Sequence, residues 1–418
     1  MIQPFRMITL AAAWLVILLA GALVILTRYE QQRMDKVRIG VRLTNDAQRA
    51  IAQQFLGPRD DLARASYVEF TAGWKEFFAL QQAGLQPELV VDIESTKLFD
   101  QGFHRLAQVD SILEHLQQTY PSLATVHTIG ASSFWMMPIR GIRISALPMN
   151  QKHIRSLLLT AAHHANEPVG VEICIHVMSH LCQNYPNDPK VKNWLENGEV
   201  WIVPVVNPDG YRVVFSDSSR LIWRKNLRDN NGDGRFSPAE DGVDLNRNYD
   251  YHWGMKADHS PHSYYYCGPS PFSEPEIIAI RQLAEQCRFA LHLDFHSAGQ
   301  KVLYPAAIGR PHQLAALAER IADQISKNSD GDHYQTAPLD DMVGQCSSWM
   351  FYKMGVPSLL IEAGDSFFPS KPDLSAIVKQ NAQAAFKALE LVTGHGGWLD
   401  SISWSERQEM PEKNGRVE

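Results

Sequence analysis

Two histidines and one glutamate occur where two apolar segments of the chain end. The apolar segment 156–162 is followed by His164 and Glu167, and the segment 289–296 ends at His296. His164 and Glu167 are three residues apart, so one turn of chain can direct both side chains at one ion. His296 comes much later, and only a folded sheet can bring it back to them. Two imidazoles and one carboxylate, with a fourth position open, are the ligands of a catalytic zinc ion.

The pair formed by His164 and Glu167 is weak evidence by itself. An HxxE pattern often arises by chance, and such a pair usually contributes only surface polarity. His163 is an alternative ligand, because it lies four residues from Glu167 and also fits a helical pair. The metal site therefore depends on the elements and motifs around it.

Predicted strands and helices alternate between residues 102 and 396. Apolar segments typical of buried strands occur at 141–147, 156–162, 200–206, 289–296 and 358–364. Helical periodicity occurs at 105–120, 169–185, 273–287, 312–326 and 375–392. This alternation predicts a three-layer α/β/α sandwich, which we expect to have a mixed central sheet. Sites in such sheets form at the carboxyl ends of strands, which is where the three candidate ligands occur.

Six short motifs support the metal site. In chain order they are VVNPDGY (205–211), WRKN (223–226), GVDLNRNYDYHWG (242–254), YCGPSPFSEPE (266–276), DFHSAGQKVLYP (294–305) and VPSLLIEAG (356–364). Their order and wording resemble the zinc carboxypeptidases of the carboxypeptidase A/B family, over roughly residues 102–395. The resemblance implies the fold of that family, one catalytic zinc ion, and action on the C-termini of peptides or proteins.

The resemblance also assigns the metal-binding residues. His164, Glu167 and His296 match the zinc ligands of the family. Asp244, in the motif GVDLNRN, matches the carboxylate that orients one ligand imidazole, and such zinc sites normally need one.

Four further residues match catalytic and substrate-binding roles. Glu362 matches the general base that activates water at the zinc, and a glutamate at the end of an apolar strand is costly without a function or a partner. Arg224 matches the cation that stabilises the oxyanion. Asn246 and Arg247 match the pair that binds the terminal carboxylate of the substrate, which a guanidinium binds through two parallel hydrogen bonds. Taken singly, Arg224 could be a surface cation and Arg247 part of a structural ion pair.

The chain departs from the family at the mobile tyrosine that covers the substrate. In the ungapped register that position is Asp340, and residues 335–351 contain no tyrosine. Tyr334 and Tyr352 are candidate substitutes, and neither is assigned the role. The position that sets side-chain preference falls near Ser347, with Asp340 and Asp341 nearby, which predicts a polar pocket.

A loop between two of the motifs matches a calcium-binding pattern. The stretch DNNGDGRFSPAE, residues 229–240, fits D-x-[DN]-x-[DN]-G-x5-E in full. The predicted ligands are the side chains of Asp229, Asn231, Asp233 and Glu240 and the backbone carbonyl of Arg235. The flanks are not obvious paired helices, so a turn of Asn, Asp and Gly without a metal is the alternative.

The chain begins with a segment of membrane type. Residues 7–27 carry no charge over 21 residues, which suffices for a helix to span a hydrocarbon core of about 30 Å. We expect an uncleaved anchor within residues 1–28; a cleaved signal peptide and a buried core helix are the alternatives. The flanking charges favour a cytoplasmic catalytic domain. The resemblance to exported peptidases and the predicted calcium loop favour an extracytoplasmic one, which we expect.

Residues 36–98 form a predicted small α/β unit that loosely resembles the inhibitory pro-segment of these enzymes. Its expected elements are a strand at 36–43, a helix at 45–56, a strand at 66–70, a helix at 71–84 and a strand at 89–93. Asn45 and Thr71 are predicted to cap the two helices. This unit could cover the active site as an intramolecular inhibitor or merely assist folding. The catalytic domain is expected at 102–396, with a polar tail at 397–418.

Composition excludes several classes of protein. The 418 residues are 45% apolar and 20% charged, which is typical of a globular chain. A net charge of −7 gives no bulk attraction for nucleic acid. Five cysteines are too few for a disulfide scaffold.

The leading functional prediction is a zinc metallocarboxypeptidase anchored to a membrane. A related zinc amidohydrolase that acts on cell-wall peptides is the enzymatic alternative. An inactive peptide-binding relative is the alternative from another class, and the missing tyrosine favours it.

Overall fold

The computed structural model describes most of the chain. Described are residues 36–56, 66–73, 80, 83, 85, 87–89, 102–149, 151, 154–216, 220–255, 257–305, 312–327, 333–339, 343–394 and 399. The predicted membrane anchor, residues 1–28, and nearly all of the predicted polar tail lie outside these residues and stay predictions. Within the part of the chain that is described, no helix has both the length and the hydropathy of a membrane span.

The chain divides into two compact units, residues 1–92 and 93–418. The described part of the first unit is a small antiparallel sheet with one helix. Its strands lie in the order β2-β1-β3 and are β1 (Lys36–Arg42), β2 (Tyr67–Gly73) and β3 (Pro87–Leu89). An α/β unit is therefore present, whereas a role as a pro-segment stays a prediction.

The two helix starts predicted for this unit have different outcomes. Asn45 caps helix α1 (Asp46–Leu56), since its side-chain oxygen accepts the N–H of Gln48 at 2.9 Å. Thr71 does not begin a helix, because it lies in β2 and pairs with Arg38 of β1. Strand pairing there overrides the helical periodicity that follows.

The second unit contains an eight-stranded sheet and most of the helices. The strands are β4 (Ala124–Ala131), β5 (Pro138–Ile144), β6 (Arg155–Ala161), β7 (Gly198–Val203), β8 (Leu291–His296), β9 (Lys301–Tyr304), β10 (Gln335–Pro338) and β11 (Ser358–Glu362). The helices are α2 (Leu106–Thr119), α3 (Val169–Asn184), α4 (Pro189–Asn197), α5 (Pro208–Ser216), α6 (Pro275–Cys287), α7 (His312–Ser326), α8 (Cys346–Tyr352) and α9 (Lys371–Thr393). A short 3-10 helix covers Leu245–Arg247.

The sheet is mixed, and its parallel centre brings three strand ends together. The strand order is β10-β9-β11-β8-β6-β7-β5-β4. Strands β11, β8, β6 and β7 run parallel to one another, whereas β9 is antiparallel to β11 and β5 to β7. The carboxyl ends of β6, β8 and β11 therefore lie at one edge, where Glu362 is the register partner of His296. The predicted α/β class with a mixed sheet is confirmed.

Helices cover both faces of this sheet. On one face Leu158 and Trp201 pack in a buried cluster with Ile280 of α6 and Trp349 of α8. On the other face α3 and α9 pack against β6. The leucines of β6 are fully buried, and burial of each contributes roughly 1.5–3 kcal/mol. This packing on both sides holds the strand ends in place.

Candidate active site

The two histidines and the glutamate predicted as ligands meet at the edge of the sheet. Nδ1 of His164 lies 2.8 Å from Oε1 of Glu167, and Nδ1 of His296 lies 2.8 Å from Oε2. The two Nδ1 atoms are 3.1 Å apart, and all three side chains are buried. Donor atoms around a tetrahedral zinc ion lie roughly 3.3 Å apart, since each bond is about 2.0–2.1 Å long. The three residues therefore fit a zinc ion.

A glycine allows Glu167 to reach this ligand group. Gly170, at the start of α3, packs against the end of β8. A Cβ atom at Gly170 would lie 2.9 Å from the carbonyl oxygen of Phe295 and 3.0 Å from Cβ of Ala161. A residue with a side chain could not approach so closely, so glycine sets the start of α3 and brings Glu167 beside His296.

The charges around His164 and Glu167 favour the forms that bind metal, whereas at His296 burial is outweighed by Asp294 and Glu167, which raise its pKa. Although burial opposes its charge, the facing imidazoles of His164 and His296 hold the pKa of Glu167 well below its usual range. Burial and the nearby Arg224 lower the pKa of His164. A carboxylate and a neutral imidazole are the states that a metal ion needs.

Asp244, the predicted orienting carboxylate, lies beside His164. Its Oδ1 is 3.3 Å from Nε2 of His164, and its Oδ2 accepts the Nε–H of Arg224 at 2.9 Å. Oδ1 also accepts the backbone N–H of Asn246 at 3.0 Å, at the start of the 3-10 helix. One carboxylate thus links a candidate ligand to both segments that carry the predicted cations.

Glu362, the predicted base, ends β11 next to His296. Burial raises the pKa of Glu362 to about 7, and the nearby Glu167 adds to the rise, whereas His296 and Arg224 oppose it. A carboxyl group with a pKa near 7 can accept and release protons at neutral pH. A zinc cation in the ligand group would favour its ionised form.

Arg224 remains charged inside the site. Burial lowers its pKa, but Asp244 and Tyr264 raise it, and the net change is upward. One guanidinium nitrogen, Nη1, lies 3.5 Å from Oε1 of Glu167. The guanidinium carbon lies 5.5 Å from the ring centres of both Tyr264 and Tyr265, which is within the range of cation–π attraction.

Asn246 and Arg247 lie together in the 3-10 helix. Nη1 of Arg247 donates to the carbonyl oxygen of Asn246 at 2.7 Å, and its guanidinium carbon is 5.9 Å from the ring centre of Tyr265. Oδ1 of Asn246 accepts the backbone N–H of Cys346 at 2.8 Å, which orients the amide. Tyr265 is 40% exposed, so the ring near both cations is open to solvent.

Ser347, predicted near the side-chain pocket, is fully buried in the first turn of α8. Among the described residues its hydroxyl has no hydrogen-bond partner. Asp340 and Asp341 lie outside the described residues. The polar pocket therefore stays a prediction.

The two tyrosines considered as substitutes for the missing family tyrosine are held by other contacts. The hydroxyl of Tyr334 accepts the N–H of Gly364 at 2.8 Å. Tyr352 stacks on Tyr251 with ring centres 4.5 Å apart. Both side chains are thus part of the scaffold, and neither acts as a mobile cover in this arrangement.

The predicted calcium loop is closed by hydrogen bonds among its own residues. Asp229 accepts the backbone N–H groups of Gly232 and Gly234, each at 2.7 Å. Asp233 accepts the backbone N–H of Arg235 at 2.8 Å. The side-chain amide of Asn231 donates to Glu240 at 3.0 Å. Two three-residue clusters of possible metal ligands occur within the described residues, and neither includes this loop. The calcium prediction gains no support, and a turn of Asn, Asp and Gly accounts for the conformation.

Sequence reasoning missed two residues of the site. Oδ2 of Asp294 lies 3.1 Å from Nε2 of His296. Asp294 precedes His296 by two residues in β8, and alternate residues share a strand face, so the spacing D-x-H was a usable signal. Tyr265 offered no comparable signal, because only tertiary packing places its loop beside Arg224 and Arg247.

Asn226 holds the WRKN segment against its neighbours. Its Oδ1 accepts the N–H of Val243 at 2.8 Å, its Nδ2 donates to Glu274 at 2.7 Å, and Nδ2 also lies 3.3 Å from Oε2 of Glu276. Both glutamates lie at the start of α6 and are fully buried. Burial and the adjacent Glu274 raise the pKa of Glu276 to about 8.

We expect Glu276→Gln to stabilise the protein increasingly as pH rises from about 5 to 8. Glu276 binds its proton up to a pKa of about 8 when folded, against 4.5 when unfolded, so the wild type loses stability across that window. The loss is at most about 1.4 kcal/mol per pH unit. Glutamine keeps an acceptor for the N–H of Ser133, 2.9 Å away, and cannot ionise.

Urea unfolding at several pH values measures this effect. Glu285→Gln, on the exposed side of the same helix α6, is the control and should show a constant difference from the wild type. A constant difference for Glu276→Gln as well would contradict the prediction.

Three comparisons place the chain among known proteins. The family profile described as zinc carboxypeptidase matches residues 109–384. Carboxypeptidase O of Bos taurus is 25% identical over 305 residues, covering 69% of this chain and 78% of that protein. Inactive metallocarboxypeptidase ECM14 of Ajellomyces capsulatus is 29% identical over 281 residues, covering 64% and 45%. The crystal structure of carboxypeptidase A from Helicoverpa armigera matches with a TM-score of 0.67 at 23% identity, covering 86% and 97%, and shows the fold alone.

Proposed function

The chain belongs to the zinc carboxypeptidase family, and we propose that it hydrolyses the last peptide bond of peptides or proteins with a free C-terminal carboxylate. The prediction of a metallocarboxypeptidase is confirmed at the level of the family. The observation that supports the substrate class is the position of two guanidinium groups beside the ligand group. The guanidinium carbons of Arg224 and Arg247 lie 5.5 and 5.9 Å, respectively, from the centre of the exposed ring of Tyr265.

Arg247 and Asn246 bind the terminal carboxylate in this proposal. A guanidinium donates two parallel hydrogen bonds to a carboxylate, which makes the contact specific for a free C-terminus. Nδ2 of Asn246 lies 3.3 Å from Nε2 of His296. When that nitrogen is protonated both groups are donors, so the amide is free to donate to the substrate instead.

Glu362 and Arg224 act on the reacting bond. A zinc ion held by His164, Glu167 and His296 would polarise the scissile carbonyl and make water more acidic. Glu362 accepts the proton of the attacking water and delivers it to the departing amine, a transfer that its raised pKa permits. Arg224 donates to the oxygen of the carbonyl as negative charge develops there. His164, Glu167 and His296 hold the metal, and Asp244 orients His164.

An inactive peptide-binding protein is the second candidate, because one similar protein is named an inactive metallocarboxypeptidase. The absence of tyrosine from residues 335–351 also favours this candidate. Against it, the ligand group, a base with a raised pKa and both cations are present and lie together. Their joint presence supports hydrolysis.

The test compares pairs of peptides that differ only in a free or an amidated C-terminus. We expect the wild type to cleave the free acids at least about 10²-fold faster in kcat/KM, because an amidated end cannot accept two parallel hydrogen bonds from Arg247. Arg247→Gln should remove most of this preference. Arg140→Gln is the matched control, since Arg140 pairs with Glu114 on another part of the surface.

Two results would contradict the proposed function. Turnover of a cell-wall peptide without trimming of any free-acid peptide would favour the related amidohydrolase. Peptide binding without turnover by the zinc-loaded protein would favour the inactive candidate.

A further inference from the structure

A continuous group of buried polar side chains lies behind the ligand His296. Oδ2 of Asp294 lies 3.1 Å from Nε2 of His296, and Oδ1 accepts the hydroxyl proton of Thr160 at 2.7 Å. Nδ1 of His163 lies 3.0 Å from the same Oδ1, and its Nε2 lies 2.8 Å from the hydroxyl of Tyr249. None of the five residues is more than 1% exposed.

Metal binding and the contacts of this group together define one consistent placement of its protons. Nδ1 of His296 faces Glu167 and His164, so this nitrogen must be unprotonated to bind a metal ion. The proton of a neutral His296 is then on Nε2 and points to Asp294. In His163, Nδ1 faces the carboxylate of Asp294, and Nε2 is placed to accept the hydroxyl proton of Tyr249.

Packing alone does not explain a carboxylate at this position. Burying a charged group costs several kcal/mol unless partners compensate it. Asp294 has such partners on both oxygens, and one of them is a ring nitrogen of His296. A metal-binding histidine normally donates its second N–H to a carboxylate or carbonyl, which fixes both the tautomer and the ring orientation. Asp244 lies beside the second ring nitrogen of His164, and Asp294 lies beside the second ring nitrogen of His296.

We propose that Asp294, held by Thr160 and His163, is the positioning residue for the zinc ligand His296. It keeps the proton of His296 on Nε2 and holds the ring so that Nδ1 faces the other two ligands. This inference rests on the zinc site of the proposed function, and it concerns metal affinity rather than the choice of substrate.

A second metal ion is the competing explanation for part of this group. Ligand atoms of His163, Asp294 and Cys346 lie within 4.8 Å of one another. Each nitrogen of His163 and each oxygen of Asp294 already has a polar side-chain atom within 3.1 Å. The positioning role therefore accounts for the cluster without an ion.

Zinc affinity of the purified full chain tests the proposal, measured by competition with a chromogenic chelator. We expect Asp294→Asn to weaken zinc binding about 10- to 100-fold, as loss of such partners does at other zinc sites. The visible absorption bands of the cobalt-loaded variant should shift as well, because the His296 ring is held differently. Asp209→Asn is the matched control, since this buried carboxylate bonds Ser132 and Phe134 and contacts no ligand.

A second pair of variants keeps the proposal testable if Asp294→Asn does not fold. Thr160→Val preserves shape but removes the hydroxyl bonded to Asp294, and it should weaken zinc binding about 2- to 10-fold, the cost of one lost hydrogen bond. Thr160→Ser keeps the hydroxyl and should restore wild-type affinity.

Three outcomes decide against the positioning role. Zinc affinity within about twofold of the wild type in the folded Asp294→Asn and Thr160→Val variants would overturn it. If Asp209→Asn weakens zinc binding equally, the weakening is a general effect on folding and not a positioning role of Asp294. Two zinc ions per wild-type chain, with one lost in Cys346→Ser, would replace it by a second metal site. Because zinc binding is measured without peptide, each of these outcomes leaves the carboxypeptidase proposal to its own test.

Discussion

Glu362→Gln is expected to lower kcat by about 10²- to 10⁴-fold, the usual contribution of a general base. Glutamine has nearly the same shape and keeps an oxygen at the position, but it cannot accept a proton from water. Glu362 is not one of the three converging ligands, so zinc content should stay close to that of the wild type. Steady-state kinetics on a free-acid peptide, together with metal analysis, measures the effect.

The pH profile gives a second readout for Glu362. The free base is needed, so kcat/KM of the wild type should fall on the acid side as this carboxyl group is protonated. The variant should lack that acid limb. Glu390→Gln, at an exposed position of α9, is the control for a glutamate change that leaves catalysis untouched. More than a tenth of wild-type kcat in Glu362→Gln would mean that another group acts as the base.

The position of the site follows from features visible in the sequence. The segments 156–162, 289–296 and 358–364 are apolar enough to be central strands, and the ligands and the base lie at their ends. Parallel strands bring carboxyl ends to one edge, so His164, His296 and Glu362 had to be near one another if the strands were neighbours. The sheet order β11-β8-β6 meets that condition.

The short elements could not be predicted in the same way. β9, β10 and α8 contain four, four and seven residues, and their sequences carry too few periods for a pattern to emerge. Their conformation depends on neighbours, as when β9 pairs with both β10 and β11. Pairing between distant segments also extended β2 through Thr71, against the helical periodicity of that stretch.

The electrostatics of the site depend on burial, which sequence patterns do not show. Glu276 lies in the first turn of α6, yet it is fully buried beside Glu274 with a raised pKa. Asp294 could be placed on the face of His296 by alternation, but only the fold shows that Thr160 and His163 hold it. Residue types therefore identify the candidate chemistry, and packing decides the charge of each group.

Arg224→Gln is the other change with a large expected effect, a drop in kcat of about 10²- to 10³-fold with a smaller change in KM. The guanidinium is already held by Asp244 at 2.9 Å and lies near Tyr264 and Tyr265 before substrate binds. Its orientation is therefore set in advance, and its contribution is expected mainly when charge develops on the substrate oxygen.

Affinity for a phosphonate peptide analogue separates this role from a structural one. Such an analogue carries negative oxygens that resemble the developing charge, whereas a ground-state peptide does not. Arg224→Gln should weaken phosphonate binding in proportion to the loss of kcat/KM, while a non-hydrolysed peptide analogue binds nearly as before. Arg224→Lys keeps a charge but loses the planar contact with Asp244. Its affinity for the phosphonate should lie between those of the wild type and Arg224→Gln.

Zinc content has to be measured in the same variants, because Arg224 also lies 3.5 Å from Glu167 and is bonded to the carboxylate that orients His164. If Arg224→Gln retains zinc and binds both analogues as tightly as the wild type, the arginine does not stabilise the developing charge. If zinc is lost and added zinc restores kcat, Arg224 acts through Asp244 and the ligand group. Only a loss of kcat in the fully zinc-loaded variant, matched by weaker phosphonate binding, assigns the developing charge to Arg224.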